Sequence, residues 1–199
     1  MAQQAEKAES AVHNVTNRGI IMKDIVYDIP TVTQTVRRHT LAVLVDNEFG
    51  VLARVIGLFS GRGYNIESLT VAEVEHDKKH SRITIVTSGT EMVIEQIKKL
   101  LEKMVPVYKV HDLTIDGAHV ERELALIKVV GEEQSRVEAL RIADIFRARV
   151  VDSTPASFVF ELTGESGKID EFIGLMQPLG LIEICRTGVA AVSRGKEGI

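Results

Sequence analysis

From Arg37 onward the apolar positions fall into short periodic runs separated by polar turns. His39–Asp46 (HTLAVLVD) is continuously apolar through its middle and reads as a buried strand. Val51, Leu52, Val55, Ile56 and Phe59 then recur at helical spacing, and Gly61 and Gly63 stop that helix. Asp46 or Asn47 is placed to cap its first N–H groups. Ile66–Glu75 alternates as a strand, His76–His80 makes a charged hairpin turn, and Ser81–Thr87 is a third strand. Glu91–Lys103 is a second helix. Val93, Ile94, Ile97, Leu100, Leu101 and Met104 line one side of it, and Glu95, Lys98, Lys99 and Glu102 the other. After Pro106, Val107–Ile115 is a fourth strand. The order βαββαβ predicts a ferredoxin-like sandwich, four antiparallel strands with two helices on one face.

The second half repeats this order. Strands are expected at Glu123–Val130, Val150–Ser153, Ser157–Thr163 and Leu181–Val192, with helices at Ser135–Arg147 and Lys168–Met176. Residues match as well as elements: Leu41-Ala42-Val43 is set against Leu124-Ala125-Leu126, and Phe59 before Tyr64-Asn65-Ile66 against Phe146 before Arg149-Val150-Val151. The fold class is therefore α+β, with two ferredoxin-like modules. Residues 1–36 form a tail and arm, partly disordered, because the first part is polar without periodicity and Pro30 interrupts the β-branched stretch that follows. Residues 37–116 are the first module, 117–121 a linker and 122–199 the second.

Composition narrows the function. The chain has 199 residues, 45% of them hydrophobic, which is enough for sizeable cores without staples. The net charge of −4 argues against broad nucleic-acid binding. No apolar run approaches a membrane span and no secretory pattern opens the chain, so a soluble cytoplasmic protein is expected. The single cysteine, Cys185, lies in the apolar run Leu181–Cys185 and is expected to be a buried inert thiol.

Catalytic signatures are lacking. His76 and His80 flank a charged turn rather than a helix face, and no Cys/His cluster suggests a metal. There is no nucleophile elbow or Walker loop, and Gly61-Arg62-Gly63 ends a helix where a dinucleotide fingerprint would open one. Glu73, Glu75 and Asp77 read as a solvated rim. No catalytic residue and no metal ligand is assigned.

The turn Asp46-Asn47-Glu48-Phe49-Gly50 differs from the rest. It precedes a helix N-terminus, where unpaired N–H groups and the helix dipole favour an anion. Gly50 lets a ligand approach the backbone, and Asn47 and Asn65 each offer a donor and an acceptor, with Ile66 an apolar wall. Backbone donors, two amides and aliphatic walls describe a receptor for a small aliphatic amino acid. On these residues alone a simple capped helix is the favoured reading. The equivalent turn of the second module, Gly131-Glu132-Glu133-Gln134-Ser135, carries two carboxylates that repel an anion, so that module is expected to serve docking or dimerisation.

The motifs N-E-x-G at Asn47–Gly50, R-V-I-G-L-F-S-x-R-G-Y-N-I-E-S-L-T-V-A at Arg54–Ala72, G-A-H-V-E-R-E at Gly117–Glu123, D-x-T-P at Asp152–Pro155, S-G-K at Ser166–Lys168 and R-x-G-V…S-R-G at Arg186–Gly195 carry a resemblance. From Arg37 to about Gly195 the chain resembles the small regulatory subunits of acetolactate synthase (acetohydroxyacid synthase). The resemblance implies that the first module is an ACT domain and the second a ferredoxin-like domain. It implies a homodimer through paired ACT domains, with valine bound at their interface. It also implies a catalytic large subunit that carries thiamine diphosphate and magnesium, with no cofactor on this chain. That partner is activated and made sensitive to feedback in branched-chain amino-acid biosynthesis. By the resemblance Asn47, Gly50, Asn65 and Ile66 contact the effector, Val51 and Leu52 supply backbone, and Ala72 lies close by. Phe49 departs from the family pattern, its ring expected at the pocket entrance or the dimer edge. The alternatives are an ACT-type sensor acting on another partner, including a transcription factor, and a small acylphosphatase-type enzyme.

Overall fold

A computed structural model describes residues 35–74, 79–196 and 198–199. Residues 1–34 of the expected tail and arm, and 76–78 of the expected charged turn, fall outside the described residues.

The first module runs β1 (Arg37–Asp46), α1 (Val51–Ser60), β2 (Ser68–Glu73), β3 (His80–Gly89), α2 (Glu91–Glu102) and β4 (Val107–Asp112). The second runs β5 (His119–Val130), α3 (Glu133–Phe146), β6 (Arg149–Ser153), β7 (Ser157–Gly164), α4 (Ser166–Met176) and β8 (Leu181–Arg186), with β9 (Ala190–Ser193) after it. The sheets have the same order, β2-β3-β1-β4 and β6-β7-β5-β8, and every pairing is antiparallel. This is the expected pair of ferredoxin-like modules.

Each helical layer packs on the alternate residues of its central strands. Leu41, Val43 and Val45 of β1 join Val55 and Phe59 of α1 and Ile94, Ile97 and Leu101 of α2. Ala125, Ile127 and Val129 of β5 do the same with Phe160, Ile169, Phe172 and Met176. Each large side chain fully buried in this way contributes about 1.5–3 kcal/mol.

The two modules share one irregularity. A register shift falls between Leu44 and Val45 opposite β4, and between Lys128 and Val129 opposite β8. This fixes the equivalence of the strands: Val45 corresponds to Val129, Leu41 to Ala125, and Ala42 to Leu126. The match of Leu41-Ala42-Val43 to Leu124-Ala125-Leu126 is therefore out by one residue. In a strand such a slip exchanges the two faces, so a likeness of residue names concealed opposite orientations.

Three further expectations change. Residues 117–121 are not a free linker, because β5 begins at His119 and its first four residues pair with β9. The last strand is broken in two at Thr187-Gly188, where Gly188 has φ 82°, a left-handed conformation that glycine adopts freely. Cys185 is exposed rather than buried. It pairs with Leu126 on an edge strand, on the face away from the helices, so the apolar run around it does not enclose it.

The break in the last strand carries β9 onto the first module. Val189 and Ala191 pack with Ala42, Val86 and Leu113 on the helix-free face of the first sheet. Arg82 reaches across and donates to the carbonyl of Ala191 at 2.6 Å. Burial lowers its pKa from the ordinary value.

Candidate functional site

Asn47–Gly50 links the end of β1 to the start of α1 and is tied down from three strands. The Asn47 N–H donates to the carbonyl of Lys79 at 2.6 Å, which extends the β1–β3 pairing by one bond. Its side-chain amide donates to Glu73 Oε1 of β2, and its side-chain oxygen accepts from Ser81 Oγ of β3, each at 3.0 Å. Behind it Tyr108 of β4 donates to Asp46 Oδ1 at 2.6 Å, and the Tyr108 ring meets His80 edge-on at 4.6 Å.

Neither expected cap is made. The N-cap of α1 is Gly50, with φ 83°, and no side chain bonds to the first turn. Asp46 and Asn47 are engaged by Tyr108, Glu73 and Ser81 instead. No acidic residue lies in the first turn of α1, and a Cβ built on Gly50 meets nothing within 4 Å. The Val51 N–H turns back to the carbonyl of Glu48 at 3.4 Å, and the N–H groups that follow it present the positive end of the dipole to an open approach. An anion held at such a terminus gains about 0.3–1 kcal/mol at an exposed site, and more when partly buried.

The other expected residues have distinct placements. Val51 is buried in the core below, so only its backbone faces the turn, whereas the Leu52 side chain is partly exposed. Ile66 packs against the core from outside. Phe49 projects fully into solvent, at 104% relative exposure, and within one chain it narrows no pocket. Ala72 is exposed on β2, opposite Arg82 of β3.

Asn65 is not brought to the turn within one chain. Its carbonyl accepts from Thr87 Oγ1 at 2.6 Å, while Asn47 is held beside Ser81, six residues away along the same strand β3. At about 3.3 Å per residue this separates the two asparagines by roughly 20 Å. The expectation that these ends lie near one another fails for a topological reason. β1 and β2 both run antiparallel to β3, so the end of β1 lies beside the end of β2, not its beginning.

Sequence reasoning missed Glu73 and Ser81 as partners of the turn. Their signal is register: Ser81 pairs with Val45 at the end of β1 and with Glu73 of β2 on its other side, and Glu73, read as part of a solvated rim, orients the amide.

The second module differs at this point. Counting from the equivalent Val45 and Val129, Gly131 stands where Asn47 stands. The connection shrinks to Gly131-Glu132 because α3 starts at once. The space is instead shaped by Arg136, whose guanidinium lies 4.0 Å over the Phe158 ring and donates to the carbonyl of Thr154 at 2.9 Å.

Comparison with known proteins agrees with this division. Residues 41–109 match a model described as the AHAS small subunit-like ACT domain, and residues 122–195 one described as the small subunit of acetolactate synthase. The acetolactate synthase small subunit of Aquifex aeolicus is 49% identical over 160 residues, covering 80% of this chain and 82% of that protein. The chain belongs to the acetolactate synthase small subunit family. The isozyme 3 small subunit of Escherichia coli is 48% identical over 159 residues, covering 79% of this chain and 96% of that protein. The crystal structure of the acetolactate synthase small subunit from Thermotoga maritima superposes with a TM-score of 0.71 at 38% identity, covering 81% of this chain and 99% of that one. The first module is accordingly an ACT domain. Among the described residues no group of His, Cys, Asp and Glu side chains is placed to hold a metal, and no helix is long and apolar enough to cross a membrane.

Proposed function

We propose that this chain is the regulatory subunit of a cytoplasmic acetolactate synthase, activating a thiamine-diphosphate- and magnesium-dependent catalytic subunit and conferring feedback by valine. The observation that carries the effector site is the uncapped start of α1 behind Gly50. It offers a carboxylate backbone donors and a partial positive charge, while Asn47 and Glu73 offer acceptors to an ammonium group. This suits the two charges on one carbon of an amino acid.

The separation of Asn47 from Asn65 supports a dimer. β2 is an edge strand of its sheet. If two chains pair antiparallel through β2 about a twofold axis, the Glu73 end of one strand lies beside the Ser68 end of the other. Asn47, Gly50 and the Val51-Leu52 backbone of one protomer then face Asn65 and Ile66 of its partner. Pairing through β4, the other edge, leaves both Asn65 residues on the outside. A dimer through β2 thus reunites the two halves of the receptor and gives two equivalent sites. Valine shifts the holoenzyme only by its differential affinity for the two states, typically a coupling of about 1–3 kcal/mol.

The test is acetolactate formation by the catalytic subunit, with and without this chain, in the presence of valine, leucine or isoleucine. Activation by the chain and inhibition by valine are expected. Gly50→Asp places a carboxylate where the effector's own would lie, in a left-handed conformation that Asp tolerates. It should raise the inhibitory valine concentration by tenfold or more while activation persists. Inhibition at the wild-type concentration would overturn the site assignment.

A further inference from the structure

The corner between β8 and β9 rests on β2, the strand that carries the proposed dimer edge. The N–H of Val189 donates to Ser68 Oγ at 2.8 Å. A Cβ on Gly188 would come within 2.8 Å of the same Ser68 Oγ and 3.1 Å of Thr70 Oγ1. Gly188 holds φ 82° there, so glycine is required both by conformation and by the close approach of β2. Thr70 Oγ1 is buried beside this corner without a hydrogen-bond partner.

Next to Gly188, Thr187 ties the corner to the second module. Its N–H donates to the carbonyl of Leu124 at 3.0 Å, and its Oγ1 accepts from the Leu124 N–H at 3.1 Å, beside Glu123. Glu123 is buried on β5, where Arg186 of β8 binds it from two nitrogens at 2.8 and 2.6 Å and Ser166 of α4 donates to it at 3.1 Å. Arg186 also holds Asp170 of α4 at 2.6 Å. Short polar contacts at Ser68, Leu124, Glu123 and Asp170, joined by the consecutive residues 186–189, thus link β2 to the first turns of α4.

We propose that Gly188 and Ser68 form the joint through which the position of β2 is passed to the second module. They are positioning residues for feedback, outside the effector receptor itself. The inference rests on the reading of this chain as a valine-responsive regulatory subunit. β2 is the strand whose placement an effector at the dimer edge would set. Val189 N–H follows β2 through Ser68, and the left-handed turn at Gly188 converts that displacement into movement of Glu123 and α4. A side chain at 188 would push the corner off β2, and removal of the Ser68 hydroxyl would release Val189.

The test uses Gly188→Ala and Ser68→Ala in the full chain. Valine binding is titrated calorimetrically with the chain alone and with the catalytic subunit, and acetolactate formation is followed against valine. In the wild type the two affinities should differ by a coupling factor of about 5–150. Both variants should bind valine alone within twofold of wild type and still activate without valine. Their coupling factor should collapse toward one, and saturating valine should lose most of its inhibition. Loss of stability alone would not equalise the two affinities. If Gly188→Ala fails to fold, Ser68→Ala decides the matter, since it adds no atom. Wild-type inhibition of Ser68→Ala overturns the joint and leaves the effector reading intact. Loss of valine binding by the variant alone also overturns it, placing Ser68 in the receptor. A wild-type chain that neither binds valine nor is inhibited by it overturns the regulatory reading and the joint together.

Discussion

The two sheets of this chain have one strand order and one bulge, yet their helix-free faces are finished in opposite ways. In the first, Ala42 is fully buried, because β9 and Leu113 lie over it. In the second, the equivalent Leu126 is 38% exposed and no described element covers it. A small residue stands where a second layer must approach closely, and a larger one where none does. The turns differ as well. The first keeps a long connection with Asn47 and Gly50, while the second shortens it to Gly131-Glu132, beside a cavity lined by Arg136 and Phe158. One architecture thus supplies a module covered on its sheet, with a long turn before its first helix, beside another left open on its sheet, with a short one.

A further pair of equivalent positions inverts charge. His39 and Asp112 lie buried side by side at 2.7 Å in the first module. Glu123 and Arg186 occupy the same strand positions in the second, at 2.6 Å. The second pair is a fixed ion pair. Arg186 holds the Glu123 carboxyl below its usual range, the direct hydrogen bond outweighing the opposing cost of burial.

The largest way to sharpen this contrast is Arg186→Met. It leaves the Glu123 carboxylate buried without its cation, and should cost about 3 kcal/mol in urea denaturation, the lower end for a broken buried pair because Arg186 is itself partly exposed. Adding Glu123→Leu should recover most of that loss, since an apolar pair has no unmatched charge. A single-variant cost below about 1 kcal/mol would show that solvent compensates the carboxylate.

Exchanging the covered and open faces should have the next largest effect. Ala42→Leu should cost about 2 kcal/mol by overpacking against Val189 and Ala191, while Leu126→Ala should cost less than about 1 kcal/mol. Equal costs would mean that the two faces are covered alike in solution.

Acid should have the smallest effect, and it acts through Glu123. The depressed Glu123 pKa contributes stability that is fully present above the ordinary glutamate value, about 4.3. That contribution is lost as pH falls through the lower folded value. Glu123→Gln should therefore lose less stability than wild type between pH 5 and pH 2, read from thermal midpoints. Parallel curves would remove the ion pair as an acid-sensitive element.

Much of this was legible in the chain. The helical spacing of Val51, Val55 and Phe59 and the alternation of Leu41, Val43 and Val45 fixed elements and cores, because burial of one face imposes its own period on the residues. The βαββαβ order, found twice, gave the architecture. Asn47 and Gly50 marked the turn as a receptor only through the family resemblance, because an asparagine and a glycine before an amphipathic helix serve equally well as a simple cap and turn. Other features depended on where distant segments come to rest. Cys185 is exposed because β8 is an edge strand, and hydropathy does not distinguish an edge from a centre. Residues 119–121 became strand because β9 returns to pair with them. Asn65 lies far from Asn47 because β1 and β2 are parallel in space, a relation set by the strand between them. Local periodicity determined what each segment is, and only tertiary pairing decided which segments meet.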